Sequence, residues 1–318
     1  MQAPCSACHT AKRMVVWDRA PVLSLKRGKK MKNSKYSLWY CSPVILLYSV
    51  FFIIPTLIGF VMGFTNWSSY NMWGFTFNGL DNFIEIFQSD LFFLILKNTF
   101  YYAIVTVVLK NLLGFVLAIF LDNSLRATKI YRTVFFMPAI ISSMVVCLIF
   151  TSIYNPQNGI LNEVLRAVGL ESWTHEWLFD TGTAMNSVCA IEIWQWSGFH
   201  MTIYLAALQS IPKDYFEAAS IDGASSWQQL IRIKIPLMMS SFSINITLSI
   251  IGGLKVFDKV YATTNGGPND ATQVFSMYIY KTFGQGLLGL SSAYNLIFTL
   301  LIIILSFFVL RVFNRKEA

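Results

Sequence analysis

Residues Glu217 to Pro236 read EAASIDGASSWQQLIRIKIP. In a chain built of long apolar runs, this stretch of small, polar and turn-prone residues is too long for a simple helix–helix connection and too patterned for a slack linker. The sequence from Asp214 to Leu230 predicts two short helices joined at Asp222-Gly223-Ala224. Asp214 is placed to cap the first, with Glu217 at its third position, a capping-box spacing with Asp in place of Ser or Thr. Ala218 and Ala219 leave a thin face that lets another protein approach the backbone. Gly223 permits a turn that other residues resist. Trp227, Leu230, Ile231 and Ile233 then form an apolar stripe returning to a membrane surface, and Pro236 is placed to restart a helix at its first turn. On periodicity alone, a solvated loop with an interfacial helix accounts for the stretch as well as a docking helix does.

The flanking sequence sets the class. The chain has 318 residues, 55% hydrophobic and only 13% charged, against about 25% charged in an ordinary soluble domain. Six windows reach the roughly 20 mostly apolar residues of a spanning helix: 38–64, 99–121, 133–154, 184–209, 237–254 and 282–310. The last exceeds one crossing, so its first residues are expected at the interface. The fold class expected is an all-α membrane protein with six transmembrane helices. The net charge of +8 is not a nucleic-acid signature, because the basic residues sit in short segments between apolar runs. Five cysteines, at 5, 8, 41, 147 and 189, make no disulfide framework, and those at 147 and 189 lie well inside apolar windows.

Charge orients the chain. Of the 24 Lys and Arg, 18 lie in segments 1–37, 122–132, 210–236 and 311–318, and five in the alternate segments. The positive-inside rule therefore puts both termini, and the quoted stretch, in the cytoplasm. Residues 1–37 form a basic cytoplasmic tail without the apolar core of a secretory signal. Because MKNSKYSLWY from Met31 looks like an ordinary start, residues 1–30 are expected to be an over-called start or a dispensable tail. Their Cys5-Ser6-Ala7-Cys8-His9 spells the c-type haem attachment pattern, but on the wrong side of the membrane for such haem and with too few ligands for zinc. It is read as chance.

The exact residues carry a resemblance. Glu217-Ala218-Ala219, three residues, Gly223, nine residues, Ile233, then Ile235-Pro236 is similar to the cytoplasmic EAA motif of binding-protein-dependent ABC transporter permeases, with Ile235 where the family usually has Leu. Phe77-Asn78-Gly79-Leu80-Asp81-Asn82-Phe83 resembles the outer loop of the sugar-importing branch, and Asn98-Thr99 follows it. Tyr131-Arg132-Thr133 to Pro138, and Tyr154-Asn155-Pro156 to Gly159 and Asn162, fit its third helix and the loop after it. Phe257-Asp258-Lys259-Val260-Tyr261 with Gly266-Gly267-Pro268 is similar to its FDxVYxxTxGGP signature. The resemblance runs from about residue 38 to the C-terminus, is nearest the shorter six-helix maltose and glycerol-phosphate type, and makes 38–318 the permease domain with its coupling loop at 210–236.

What it implies is a subunit that docks on others. Glu217 would be the charged contact with a separate ATPase subunit, Ala218 and Ala219 the close-packing face, and Asp222 and Gly223 the turn. The chain holds no G-x-x-x-x-G-K-[ST] loop, so ATP would be used by the partner, with no cofactor or metal here and no enzymatic role. The other implied partners are a second permease subunit, commonly a paralogue, an extracytoplasmic solute-binding protein and membrane lipid. The location implied is a bacterial or archaeal inner membrane, with no nucleic-acid partner.

Charges inside the windows are weighed separately. A Lys or Asp at mid-bilayer costs about 2.5–3.5 kcal/mol on insertion scales and faces the bundle interior. For Lys110 and Glu192, structural pairing or a water-lined position stands beside substrate contact. Glu192, Trp196 and Phe199 share one helix face, and a carboxylate beside aromatic rings suits a sugar. Trp also marks membrane interfaces. Lys255 and Asp258, three apart, predict an intrahelical ion pair. Trp67, Tyr70, Trp73, Phe75 and Phe77 read as an interfacial belt or a docking surface for the binding protein. Two rivals remain: a proton- or ion-coupled secondary transporter using Lys110, Glu192 and Asp258, and a membrane enzyme, for which His9, His175 and His200 are too scattered.

Overall fold

The computed structural model describes residues 41–122 and 128–317. The basic tail, its Cys-rich motif and the question of where the chain starts lie outside the described residues. The chain divides into two compact units, Met1–Ile54 and Pro55–Ala318. Among the described residues all regular structure is helical, and β-pairing is confined to isolated bridges, Thr65 with Phe77 and Ser68 with Asn71.

In chain order the helices are α1 (Ser42–Met62, with a π-helical turn at Ser49–Ile53), α2 (Asp81–Gln88), α3 (Asp90–Asp122), α4 (Thr128–Ile140), α5 (Ser143–Ile153) and α6 (Ile160–Ala167). Then come α7 (Ala184–Ser210), α8 (Asp214–Ile221), α9 (Ser226–Leu237), α10 (Met239–Leu254), α11 (Asp258–Thr263), α12 (Phe275–Gly284) and α13 (Leu288–Glu317). Three helices are long and apolar enough to cross a membrane: α1, α3 and the 288–309 part of α13. The number rises to five if the bent pairs α4–α5 and α9–α10 each count as one span. Helix α7 has the length but carries Glu192, Gln195 and His200 along its middle, all buried.

Helices α3 and α7 form the centre, and they run parallel. Tyr101 donates a hydrogen bond to Asn186 at one end, Lys110 meets Glu192 further along, and Ala118 and Leu121 pack with Leu205 and Leu208 in one apolar cluster at the other. Small residues let further helices close on this pair. A Cβ on Gly198 would fall on the backbone carbonyl of Phe135, so α4 crosses α7 at a separation that only glycine allows.

Four local expectations are corrected. The 133–154 window is not one straight helix, because α4 and α5 meet at 96°. Pro138 removes a ladder donor just before the break, and the Ile141 carbonyl freed there accepts a hydrogen bond from Gln195 Nε2 at 2.9 Å. Pro236 stands in the first turn of the short α-helical segment Ile235–Leu237, but the spanning helix starts only after it, at Met239. The proline follows a π-helical turn at Leu230–Lys234, whose wider coil accommodates the ring, and the bend of 68° comes two residues later at Met238. Asp214 is not a cap: Lys213 holds that position, without a side-chain cap, and the carbonyls of Pro212 and Lys213 close the first turn. Lys255 and Asp258 do not share a helix, since α10 ends at Leu254 and α11 begins at Asp258, and they form no ion pair among the described residues.

Candidate functional site

Two places concentrate chemistry. The first is the hairpin α8–α9, the two short helices read from the sequence. Gly223 sits at φ +77° with open space where a Cβ would stand, so backbone conformation selects glycine here. The capping box lies one helix later than expected. Ser225 Oγ accepts from the Gln228 amide at 3.3 Å, and Gln228 Oε1 accepts from the Ser225 amide at 2.8 Å. Glu217, Ala218, Asp222 and Gly223 are exposed, Ala219 is half-buried, and Pro236 is exposed on α9. Beside them Ile221 is 87% exposed, an apolar side chain with nothing covering it.

Sequence reasoning missed what ties this hairpin to the bundle. Lys234 Nζ lies 2.6 Å from Asp122 Oδ2, at the last residue of α3, and 5.3 Å from the centre of the Phe216 ring. Asp122 faces the negative end of its own helix dipole, so the ammonium offsets an otherwise unfavourable carboxylate. A cavity of about 730 Å³ lies under the hairpin, lined by Asp122, Phe216, Glu217, Gln229 and Lys234 among others.

The second place is a cavity of about 380 Å³ between α3, α7, α10 and α11. Glu192, Trp196 and Phe199 all line it, as their shared helix face predicts. The two rings meet edge to face, 5.7 Å apart. Glu192 is not alone, however. Its Oε1 is 3.0 Å from Lys110 Nζ and its Oε2 is 3.7 Å from Lys259 Nζ. All three residues are under 10% exposed: Glu192 at 8%, Lys110 at 2%, Lys259 at 3%. Lys259 donates also to Ser143 Oγ at 3.0 Å and to Gln195 Oε1. Structural pairing thus accounts for both oxygens of Glu192.

Beneath the cavity, toward the hairpin end, runs a directed chain of hydrogen bonds. The Tyr204 hydroxyl donates to Asn111 Oδ1 at 2.9 Å, and Asn111 Nδ2 donates to Ser249 Oγ at 2.8 Å. With that acceptor position filled, Ser249 is free to donate to His200 Nε2 at 3.2 Å, while His200 Nδ1 lies 2.8 Å from Asn245 Oδ1. This assignment leaves the imidazole neutral with its proton on Nδ1. The polar residues Ser241, Asn245 and Ser249, four apart on an apolar span and all buried, were the signal that this face of α10 is interior.

The signature residues divide between cavity and loop. Phe257 and Asp258 line the cavity. Phe257 stacks on Tyr261 at 5.2 Å, and Tyr280 stands edge-on to both at 5.3 Å. Gly266, at φ +87°, and the cis bond Gly267–Pro268 shape the loop after α11. Thr272 Oγ1 donates to the Gly267 carbonyl at 2.7 Å. Asn98 of α3 donates to the carbonyls of Asp270 and Gln273, each at 3.1 Å, which explains physically why an Asn stands at that point of an apolar helix. In the 63–80 loop, Trp73 is 97% exposed.

Residues 110–317 match the family model described as binding-protein-dependent transport system inner membrane component, a range holding both the cavity and the hairpin. The chain is 34% identical over 272 residues to a probable ABC transporter permease protein, YurN, of Bacillus subtilis (strain 168), covering 85% of this chain and 93% of that one. It is 33% identical over 247 residues to the lactose transport system permease protein LacF of Rhizobium radiobacter, covering 76% and 81%. In fold it is similar, with a TM-score of 0.77 and 24% identity, to a chain of a bacterial ABC transporter involved in the import of the acidic polysaccharide alginate, covering 87% and 95%. The chain therefore belongs to the family of binding-protein-dependent transport system inner membrane components, as the permease of an importer of that kind.

Proposed function

We propose that this permease forms the path for a carbohydrate, crossing a bacterial or archaeal inner membrane six times with both termini in the cytoplasm. The six crossings are α1, α3, the bent pair α4–α5, α7, α10 and α13, with α9 leading into α10 from the hairpin. Including α7 is supported by its buried Glu192, Gln195 and His200, because polar groups turned into a bundle do not meet lipid. The excess of Lys and Arg in the segments that include the hairpin supports its cytoplasmic side. For carbohydrate, support comes from the lactose permease relative and from a cavity that offers aromatic faces beside charged donors and acceptors.

The observation that carries the proposal is the hairpin. An exposed two-helix element with Glu217, Ala218 and Gly223 on its surface is pinned by Lys234 to the helix that holds Lys110. Docked in a groove of a separate ATPase subunit, it would pass closure of two such subunits to α3 and α7, turning the cavity from one side to the other. A loaded binding protein outside favours the outward state only through differential affinity. A second permease, commonly a paralogue, completes the path, and ATP is spent by the ATPases.

Affinity purification from gently solubilised native membrane tests the proposal. The expected outcome is recovery of an ATP-hydrolysing subunit and a second permease, with the ATPase lost on combining Glu217→Lys and Gly223→Pro. Recovery of the ATPase undiminished by both changes would refute the docking role. Uptake that collapses with the proton gradient while ATP is plentiful would favour secondary transport instead.

A further inference from the structure

We propose that the solute-contacting groups of the cavity include Lys110 and Asp258, and that Glu192 acts through Lys110 as a positioning residue. The inference rests on the carbohydrate reading above and assigns its chemistry. Glu192 is the carboxylate that sequence alone offers to a sugar, but both its oxygens are engaged, one by Lys110 and the other by Lys259. One ammonium hydrogen-bonded at 3.0 Å and a second ion-paired at 3.7 Å make this carboxylate the group that holds both cations in place.

Lys110 is the reverse case. An ammonium carries three N–H donors, and Glu192 Oε1 is the one acceptor bonded to Lys110 Nζ among the described residues. The side chain is 2% exposed and lines the cavity, so its remaining donors meet whatever fills that space. Lys259, by contrast, donates to Ser143 and Gln195 and faces Glu192 at 3.7 Å. Unfilled donors on a buried charge are costly, and a ligand oxygen would satisfy them.

Asp258 supplies the complement. It lines the same cavity, is exposed, and its carboxylate has no hydrogen bond or ion pair among the described residues. A free donor and a free acceptor in one cavity match a hydroxyl group, which gives one hydrogen bond and takes others. Lys255, exposed and without an ion pair among the described residues, lines the cavity as well, so the lining offers charges of both signs and fits a polyhydroxylated solute better than a simple cation. Trp196, Phe199 and Phe257 provide the ring faces on which the C–H side of such a solute packs.

The roles are tested on the complete complex of this chain with its partner permease and ATPases. In lipid nanodiscs, a water-soluble carbodiimide with glycine ethyl ester modifies carboxylates that meet water. Peptide mass spectrometry is expected to find Asp258 modified and Glu192 untouched, and Glu192 modified in place of Asp258 overturns the assignment. In proteoliposomes given the binding protein, uptake of lactose, maltose and diacetylchitobiose is compared among variants that still assemble. Lys110→Met and Asp258→Asn are each expected to lower uptake about tenfold, the worth of one charge-assisted hydrogen bond. Lys110→Arg, which keeps the donors, recovers most of it. Unchanged uptake in Lys110→Met and Asp258→Asn, or Lys110→Arg no better than Lys110→Met, overturns the proposal. A wild-type complex that accumulates none of the three saccharides refutes the carbohydrate reading, while the carboxylate labelling still decides which group faces the cavity.

Discussion

Replacing Glu192 by Gln is the sharpest test of what holds the centre together. Gln keeps the volume and one acceptor oxygen for Lys110, and it removes only the charge. That charge is the counterion of two buried ammonium groups, at 3.0 Å and 3.7 Å. Breaking a buried pair by removing one partner costs about 3–5 kcal/mol, because the other charge is left uncompensated. Here two are left, and the new amide turns a donor toward Lys259, so the upper part of that range is expected. Lys110→Met is milder. Met keeps much of the stem volume, and Glu192 still has Lys259, so the loss is one charged hydrogen bond, about 1.5–3 kcal/mol. Because Lys110 without Glu192 is itself a liability, the double variant should cost less than the two singles combined, by about 1–3 kcal/mol. The assay is equilibrium denaturation of the purified complex in mixed micelles. Additive costs, or Lys110→Met more damaging than Glu192→Gln, would refute the shared-counterion reasoning.

Three further outcomes are expected. Gly198→Ala should destabilise by about 1–3 kcal/mol in the same denaturation assay, since overpacking against the Phe135 carbonyl outweighs the gain in helix propensity. Ser225→Ala removes the capping box and about 1 kcal/mol, seen as faster amide exchange over 226–229 with the rest of the chain unchanged. Inserting two glycines into the 211–213 link between α7 and α8 should abolish ATP-driven uptake in proteoliposomes while the complex still assembles. Normal uptake in that variant would show that the hairpin moves independently of α7.

The hairpin was legible because its signals are local. Gly223 between two short helical patterns needs no knowledge of the rest of the chain, and the turn falls where the glycine stands. Its exact cap was not. Pro212 and Lys213 already close the first turn of α8, so Asp214 lies one residue inside the helix and complements the dipole instead. Ion pairing was legible as a need and not as a partner list. A buried Lys110 and Glu192 each demand a counter-charge, but Lys259 reaches Glu192 only because the chain breaks at 255–257 and turns α11 inward. The same break separates Lys255 from Asp258, whose spacing assumed an unbroken helix. Apolar windows locate spans well and bends poorly, because the 96° turn between α4 and α5 is stabilised from another helix, by Gln195.

Cavity and hairpin are joined by the same two parallel helices, and this sets how motion can pass between them. At 1.5 Å per residue, Lys110 lies about 18 Å from the end of α3 at Asp122, and Glu192 about 27 Å from the end of α7 at Ser210. Both helices are continuous over those lengths, and their facing side chains are closely packed, so they behave as levers, not as hinges. On α3 the hairpin is held by the Lys234–Asp122 ion pair and by Phe216, which packs against the cluster holding Ala118 and Leu121. On α7 the attachment is covalent and only three residues long. The hairpin is also joined covalently to α10 through Met238. A displacement of the hairpin carried along α7 arrives at Glu192, and the Glu192–Lys110 pair joins α7 to α3 there. The shared carboxylate is then both the counterion of the centre and a point where the two levers are fastened together, a role that requires no contact with what is transported.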